Sequence, residues 1–438
     1  MKIANIIPRI KTWIRIAFVI PLWTFVLLFV SPDAISQQRE VMLSRGFGQA
    51  WLERRAEAER WAASKGRPVR FENADGTVFE LQFIDSQGIP RYYRTYNANS
   101  AISISTNDVH TGGSLNMNLN GNGMTIHVWD AGHALAGHQE LNGRYSVWDG
   151  TTSLHYHAGH VTGTLIASGV VPSAKGMAPQ ATCRGYEWNN DLNEMSSAAA
   201  AGALISSHSY GYVRGWSYED GQWVWYGDSQ ISTAEDYLFG FYDSESRSMD
   251  QVAYSNPYYL IFKSAGNDRN DDDPASATPP PDGPYDCIGS EGIAKNIMTV
   301  GAVADVIGGY SSPSGVVMTS FSSWGPADDS RIKPDIVANG ASLYSTDVDN
   351  TSDYATLSGT SMSCPSAAGS ALLLQEMYQE LHGSGNFMRA STLKGLIIHT
   401  ADECGSSPGP DYQFGLGLMN TAAAALLLQE SPGNGSID

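Results

Sequence analysis

The sequence predicts an α/β fold: a doubly wound, mostly parallel β-sheet with helices on both faces, preceded by a small α+β N-terminal segment. Three observations carry this. From about residue 120, short apolar runs alternate with stretches of helical spacing, the rhythm of βαβ units and so of a parallel sheet. Hydrophobic residues are 42% of the 438 and charged residues only 16%, enough apolar surface to cover a sheet on two faces. The residues before 98 follow another pattern, one helical stretch and then a hairpin.

The elements follow in order. Lys2, Arg9, Lys11 and Arg15 precede an apolar run from Ile16 to Val30, and Ala34 and Ser36 form a small-x-small pair. The run falls short of the roughly 20 residues that span a bilayer. The arrangement is that of a secretory leader cut near Ser36, with an uncleaved anchor as the alternative; either way residues 1–36 are excluded from the fold and the rest is expected outside the cytoplasm, extracellular or periplasmic. Residues 37–97 form an extension, with a helix over Val41 to about Ser64. A hairpin follows, Val69–Glu72 and Val78–Ile84 around the turn Asn73-Ala74-Asp75-Gly76. In the main domain, 98–430, strands are expected over Met124–Trp129, Ala181–Glu187, Leu204–Ser207, Tyr259–Ala265 and Ile297–Val303. Helices are expected from near His160, from Asp191 through Ala201, and over Thr233–Tyr254, Thr360–Leu381, Thr392–Thr400 and Thr421–Gln429. Residues 431–438 read as a flexible tail.

Charge narrows the function. The net charge is −19, which argues against a nucleic-acid partner, since that needs a basic footprint. The charge is uneven: residues 37–97 hold 10 Lys/Arg against 8 Asp/Glu, and residues 98–438 hold 12 against 36. A slightly basic extension can dock on an acidic domain by charge. The four cysteines, Cys183, Cys287, Cys364 and Cys404, include no CxxC pair, so neither a disulfide scaffold nor a zinc knuckle is indicated, although one or two disulfides are compatible. A monomer is expected.

Four stretches place chemistry at strand ends and helix starts. Asp130 follows an apolar strand, where a carboxylate is held rigidly enough to orient an imidazole. His157-Ala-Gly-His160-Val-Thr-Gly163-Thr164 opens a helix with small residues that permit close packing. Ser264-Ala265-Gly266 leads to Asn267, a carboxamide at a strand end. Ser361 stands at a helix N-terminus, where free N–H groups favour a developing oxyanion. His155, His157 and His160 invite a zinc reading, but no HExxH accompanies them.

Asp, His and Ser in that chain order distinguish one class of serine hydrolase from the others. The stretches resemble the signatures of subtilisin-like serine peptidases, the subtilase family, over about residues 110–430. Val128–Gly132 is similar to the Asp motif, His157–Thr164 to the His motif, Ser358–Gly369 to the Ser motif, and Ser264–Asn267 to the oxyanion Asn motif. Phe321–Pro326 and Lys333–Val337 also look familial. The resemblance implies Ser361 as nucleophile, the second histidine of its motif, His160, as base, and Asp130 as its orienting carboxylate. It implies Asn267 and the Ser361 N–H as the oxyanion hole. Ser209-Tyr210-Gly211 becomes the strand on which an extended protein or peptide substrate pairs, and Ser264, Ala265 and Gly266 become a second wall of the pocket for the residue before the scissile bond.

The expected function is a secreted serine endopeptidase; the alternative is an inactive subtilase-fold protein that grips peptides. The extension occupies the place of a propeptide but is short for a complete one, so two readings stand open: an intramolecular inhibitor, or an ordinary extension packed on the domain. No cofactor is needed for the chemistry. A structural calcium ion is an expectation, at Glu140 by resemblance or in the loop with Asp268, Asp271, Asp272, Asp273, Asp282 and Asp286. The usual Asn-rich partner loop of Glu140 reads Ser168–Lys175 here, which weakens the first site.

Overall fold

The computed structural model describes residues 32–72, 78–85, 88–95, 101–276 and 278–430. The proposed leader up to residue 31, the turn at 73–77 and the tail from 431 lie outside the described residues. The extension comprises α1 (Pro32–Lys65), β1 (Arg70–Glu72), β2 (Val78–Ile84) and β3 (Pro90–Thr95). The helix starts earlier than expected and includes Ser36, the expected cut.

The main domain runs β4 (Thr125–Asp130), β5 (Tyr145–Val147), α2 (Tyr156–Ile166), β6 (Thr182–Glu187), α3 (Asp191–Ala200), β7 (Ile205–His208), β8 (Tyr210–Tyr212), β9 (Trp216–Glu219) and β10 (Gln222–Trp225). It continues with α4 (Ser244–Ser255), β11 (Leu260–Ser264), β12 (Met298–Val303), β13 (Ile336–Asn339), β14 (Leu343–Thr346), β15 (Tyr354–Leu357), α5 (Thr360–His382), α6 (Ala390–His399) and α7 (Thr421–Glu430). Seven strands form one sheet in the order β13-β12-β11-β7-β4-β6-β5, every pair parallel. This is the predicted doubly wound sheet. Its strands β4, β7, β11, β12 and β13 are buried on both sides because successive residues serve different cores. Ile126, Val128, Leu260 and Phe262 pack with α2 and α5, while Trp129, Tyr259 and Ile261 pack with α3 and α4.

Two boundaries matter for the site. Strand β4 runs through Asp130 rather than ending before it. Helix α2 starts at Tyr156, four residues before the expected start, because His155 caps it: its Nδ1 accepts the His157 N–H. Elsewhere, the helix expected over Thr233–Tyr254 is confined to Ser244–Ser255. Asp243 caps it by accepting from the N–H groups of Glu245 and Ser246, and Gly240 at φ +67 has already turned the chain. All four cysteines are buried free thiols.

The extension adds an antiparallel sheet, β1-β2-β3-β8, whose last strand belongs to the main domain. The two also share a small core: Ala58, Ala62, Leu81 and Tyr92 of the extension meet Val213 and Tyr226. Arg91, fully buried, pairs with Asp85 at 2.6 Å and donates to the Tyr226 carbonyl. Arg54 pairs with Glu245 at 2.7 Å, one of the basic-to-acidic contacts expected from the charge split.

Candidate active site

Asp130 sits at the carboxyl end of β4 and is buried. Its Oδ1 accepts from the Ala131 N–H at 2.7 Å and lies 2.6 Å from Nδ1 of His157. A 2.6 Å contact between a buried carboxylate and an imidazole nitrogen is a short charge-assisted hydrogen bond, which fixes the ring and leaves Nε2 as its other polar edge.

The expected assignment of the base to His160 is corrected here. His160 does not meet Asp130. It lies three residues further along α2, wholly buried, with Nε2 3.0 Å from the Leu343 carbonyl. Burial drives its pKa down to about 3, so the ring is neutral. The physical reason is the helix start. Placing it near His160 puts that residue at the mouth of the sheet, but a start at Tyr156 moves it just over a turn inward, about 6 Å along the axis. His157 takes the first turn, where the strand end can reach it. The capping imidazole, His155, is also neutral, its pKa lowered to about 3 by burial, the neighbouring His157 and Arg70.

Ser361 is the second residue of α5. Its Oγ donates to the Ser209 carbonyl at 2.8 Å, and the Ser209 hydroxyl donates to the Ser361 carbonyl at 2.7 Å. Pro365 explains the second bond. It stands four residues on, where its missing N–H would have met the Ser361 carbonyl, and Ser209 supplies the absent donor. Asn267 follows β11 and is oriented by Thr360, whose N–H and hydroxyl both donate to Oδ1 at 2.9 and 3.1 Å. Two donors on one side assign the oxygen there and turn the amide NH2 the other way. The Gly266 N–H completes the tie by donating to Thr360 Oγ1 at 3.1 Å. Thr360 and the Ser209 hydroxyl were not singled out from sequence; their roles depend on contacts across the fold.

The extension reaches this site. Strand β3 pairs antiparallel with β8, Tyr93 opposite Tyr212, Arg94 opposite Gly211 and Thr95 opposite Tyr210. The edge expected for substrate is therefore occupied by the chain's own segment. Arg70 donates to the carbonyl of Ala131, next to Asp130. Beside it, buried Glu80 of the extension accepts from Arg70, Arg55, Trp188 Nε1 and Asn189 Nδ2 at 2.7 to 3.0 Å. Glu187, at the end of β6, shares Asn189 with it. Burial works against the Glu80 charge, yet Arg70 and its other donors hold its pKa below the usual carboxylate range. Glu187 carries the cost: burial and the Glu80 charge push it up to about 8.

The calcium expectation at Glu140 fails a test of fit. Its carboxylate is filled by donors: Ser168 Oγ and the N–H groups of Gly169 and Val170 on Oε2, and the Val171 N–H and Tyr354 hydroxyl on Oε1, all at 2.7 to 3.0 Å. Calcium needs a ring of oxygen lone pairs, and this loop presents hydrogens instead. In the acidic loop, Asp268 accepts from Ser323 and Asp282 from the Trp216 N–H. No group of three or more His, Cys, Asp or Glu side chains suited to a metal ion occurs among the described residues.

The model of the subtilase family, Peptidase_S8, matches residues 99–417. A C5a peptidase of Streptococcus pyogenes serotype M3 is 43% identical over 86 residues, 20% of this chain and 7% of the relative. A PII-type proteinase of Lactococcus lactis subsp. cremoris is 33% identical over 131 residues, 26% of this chain and 7% of the relative. The chain thus spans about 7% of the length of these curated relatives. Among solved structures, a serine-to-alanine mutant of the protease domain of PatA has a TM-score of 0.51 at 18% identity, covering 73% of this chain and 99% of that one, a likeness of fold.

Proposed function

The chain belongs to the subtilase family of serine endopeptidases, and we propose that it cleaves polypeptides outside the cytoplasm through an acyl-enzyme on Ser361, with His157 as the base. The observation that carries this is the 2.6 Å contact of Asp130 with His157, set at the same sheet end as Ser361 and Asn267. A rotation about χ1 turns Ser361 Oγ from the Ser209 carbonyl to His157 Nε2. Oγ then attacks the substrate carbonyl carbon while its proton passes to Nε2. The oxyanion accepts from Asn267 Nδ2 and the Ser361 N–H, which lies in the first turn of α5 and has no intrahelical partner. Collapse breaks the C–N bond as His157 returns the proton to the leaving amine. Water, deprotonated by the same imidazole, frees the acid. Asp130 orients the ring and stabilises imidazolium throughout.

A polypeptide substrate is supported by the backbone pairing positions of β8 and by the relatives' names, a peptidase and a proteinase. In the form described, β3 holds that edge, so residues 37–97 act as an intramolecular inhibitor. Export rests on the leader pattern of residues 1–36. The test is labelling by a fluorophosphonate and hydrolysis of casein, before and after release of the extension, in the parent and in Ser361→Ala. Labelling and cleavage by the parent alone supports the reading. If neither protein reacts after the extension is removed, the fold serves as a peptide-binding scaffold instead.

A further inference from the structure

A narrow cleft opens between Tyr210–Tyr212 of β8 and Ser264–Gly266 after β11, the two segments assigned to the pocket for the residue before the scissile bond. The role of this cleft rests on the peptidase function proposed above. Four charged side chains line it, Arg214, Lys263, Asp268 and Glu291, all of them buried. Their hydrogen bonds do not balance. Glu291 is satisfied: Oε1 accepts from the Tyr212 N–H at 2.7 Å and Oε2 from Arg214 at 3.1 Å. Asp268 accepts from Ser323 Oγ at 3.2 Å. Lys263, 1% exposed, has no hydrogen-bond partner for Nζ among the described residues; the face of the Tyr210 ring lies 4.5 Å away at its centroid, and Glu291 and Asp191 act on it by charge alone. Arg214 Nε also lacks a partner among them.

The two unmet groups in this lining are both donors. A buried ammonium with no acceptor is costly, and the cost is relieved only by a group that brings an oxygen lone pair, best of all an anion. Burial accordingly pushes the Lys263 pKa down. A cationic side chain would meet Arg214 and Lys263, and an anionic one would meet Asp268 and Glu291, but both carboxylates already accept hydrogen bonds while Lys263 Nζ donates none; an apolar side chain would seal Lys263 away without an acceptor. Space sets the length. The cleft leaves about 10 Å³, near one water, so a short side chain fits with the least movement of the walls.

We propose that Lys263 determines specificity for an acidic residue immediately before the scissile bond, aspartate foremost, by donating from Nζ to its carboxylate. The same inventory ranks asparagine second, alanine third, and lysine and phenylalanine last.

The test is a set of fluorogenic peptides differing only in that residue, cut after release of the extension by the parent and by Lys263→Met, with fluorophosphonate labelling to count active sites. Expected is a kcat/KM for aspartate at least about 10²-fold above phenylalanine, the lower side of the roughly 10⁴–10⁵ by which a site built to hydrogen-bond a substrate group rejects one that lacks it. Lys263→Met should lose most of that factor, so that its ratio of kcat/KM for aspartate to that for phenylalanine falls by at least about tenfold. Should the variant not fold, the parent's ranking alone decides. Preference of the parent for phenylalanine or lysine overturns the inference, as does an unchanged aspartate preference in Lys263→Met. A protein that labels but ranks the peptides differently keeps the peptidase reading and loses this one; a protein that neither labels nor cleaves loses both.

Discussion

Replacing Glu140 by glutamine tests whether a hydrogen-bonded carboxylate holds the loop where a cation was expected. Five donors converge on the carboxylate, three on Oε2 and two on Oε1. Glutamine keeps one oxygen, so in either orientation at least two donors face an NH2 group. Each buried donor left unsatisfied costs about 1–3 kcal/mol, so Glu140→Gln should destabilise the domain by about 2–5 kcal/mol. For a domain of this size that is a fall in Tm of roughly 3–7 °C. Burial opposes the Glu140 charge, but the donors on Val171, Tyr354, Val170 and Ser168 hold its pKa below the usual value. Its contribution is therefore fully present above about pH 4.5 and is lost as pH falls through the lowered value. Calorimetry of both proteins at pH 7 and pH 4, with and without EDTA, reads all of this. The parent's advantage should shrink at pH 4, and EDTA should shift neither melting point through this site. A parent that loses several degrees in EDTA while Glu140→Gln does not would show that a cation sits there and refute the reasoning.

Other outcomes follow from the same geometry. His157→Ala should lower kcat by about 10⁶-fold, the scale for a subtilisin triad histidine, whereas His160→Ala should lose stability by roughly 2–4 kcal/mol but keep activity per folded molecule within a few fold; the reverse pattern would restore His160 as the base. Asn267→Ala should cost about 10²–10³ in kcat with little change in KM, measured on a peptide ester. Docking of the extension should weaken with rising pH, because docked Glu187 holds its proton to about 8 while a freed carboxylate releases it near 4.5. Activity of an enzyme nicked after β3 should accordingly rise between about pH 5 and pH 8, and Glu187→Gln should flatten that rise. Ser209→Ala should cost about 1–3 kcal/mol of stability by leaving the Ser361 carbonyl without a donor next to Pro365, read from a denaturant midpoint.

The parallel sheet and most of its helices were legible because their signals are local. β11 and β12 are short apolar runs buried on both faces, and α5 follows a long helical spacing from Thr360. The placement of Asp130, Asn267 and Ser361 at strand ends and a helix start was legible because composition marks those ends. The histidine was not. His157 and His160 lie three apart on one helix, both are buried, and only the start of α2 decides which meets the carboxylate. That start depends on a histidine cap, which is not among the common capping residues.

The sequence alone determined the sheet, the order along the chain of the candidate groups Asp130, His157, Asn267 and Ser361, and a basic extension before an acidic domain. It did so because periodicity, end signals and charge are properties of neighbours along the chain. The tertiary structure decided which histidine faces Asp130, that Glu140 is filled by hydrogen donors, that β3 lies on the substrate edge and that Lys263 is buried without an acceptor. Those facts concern which groups meet across long sequence separations, and burial and hydrogen-bond satisfaction are settled only where the chain has folded back on itself.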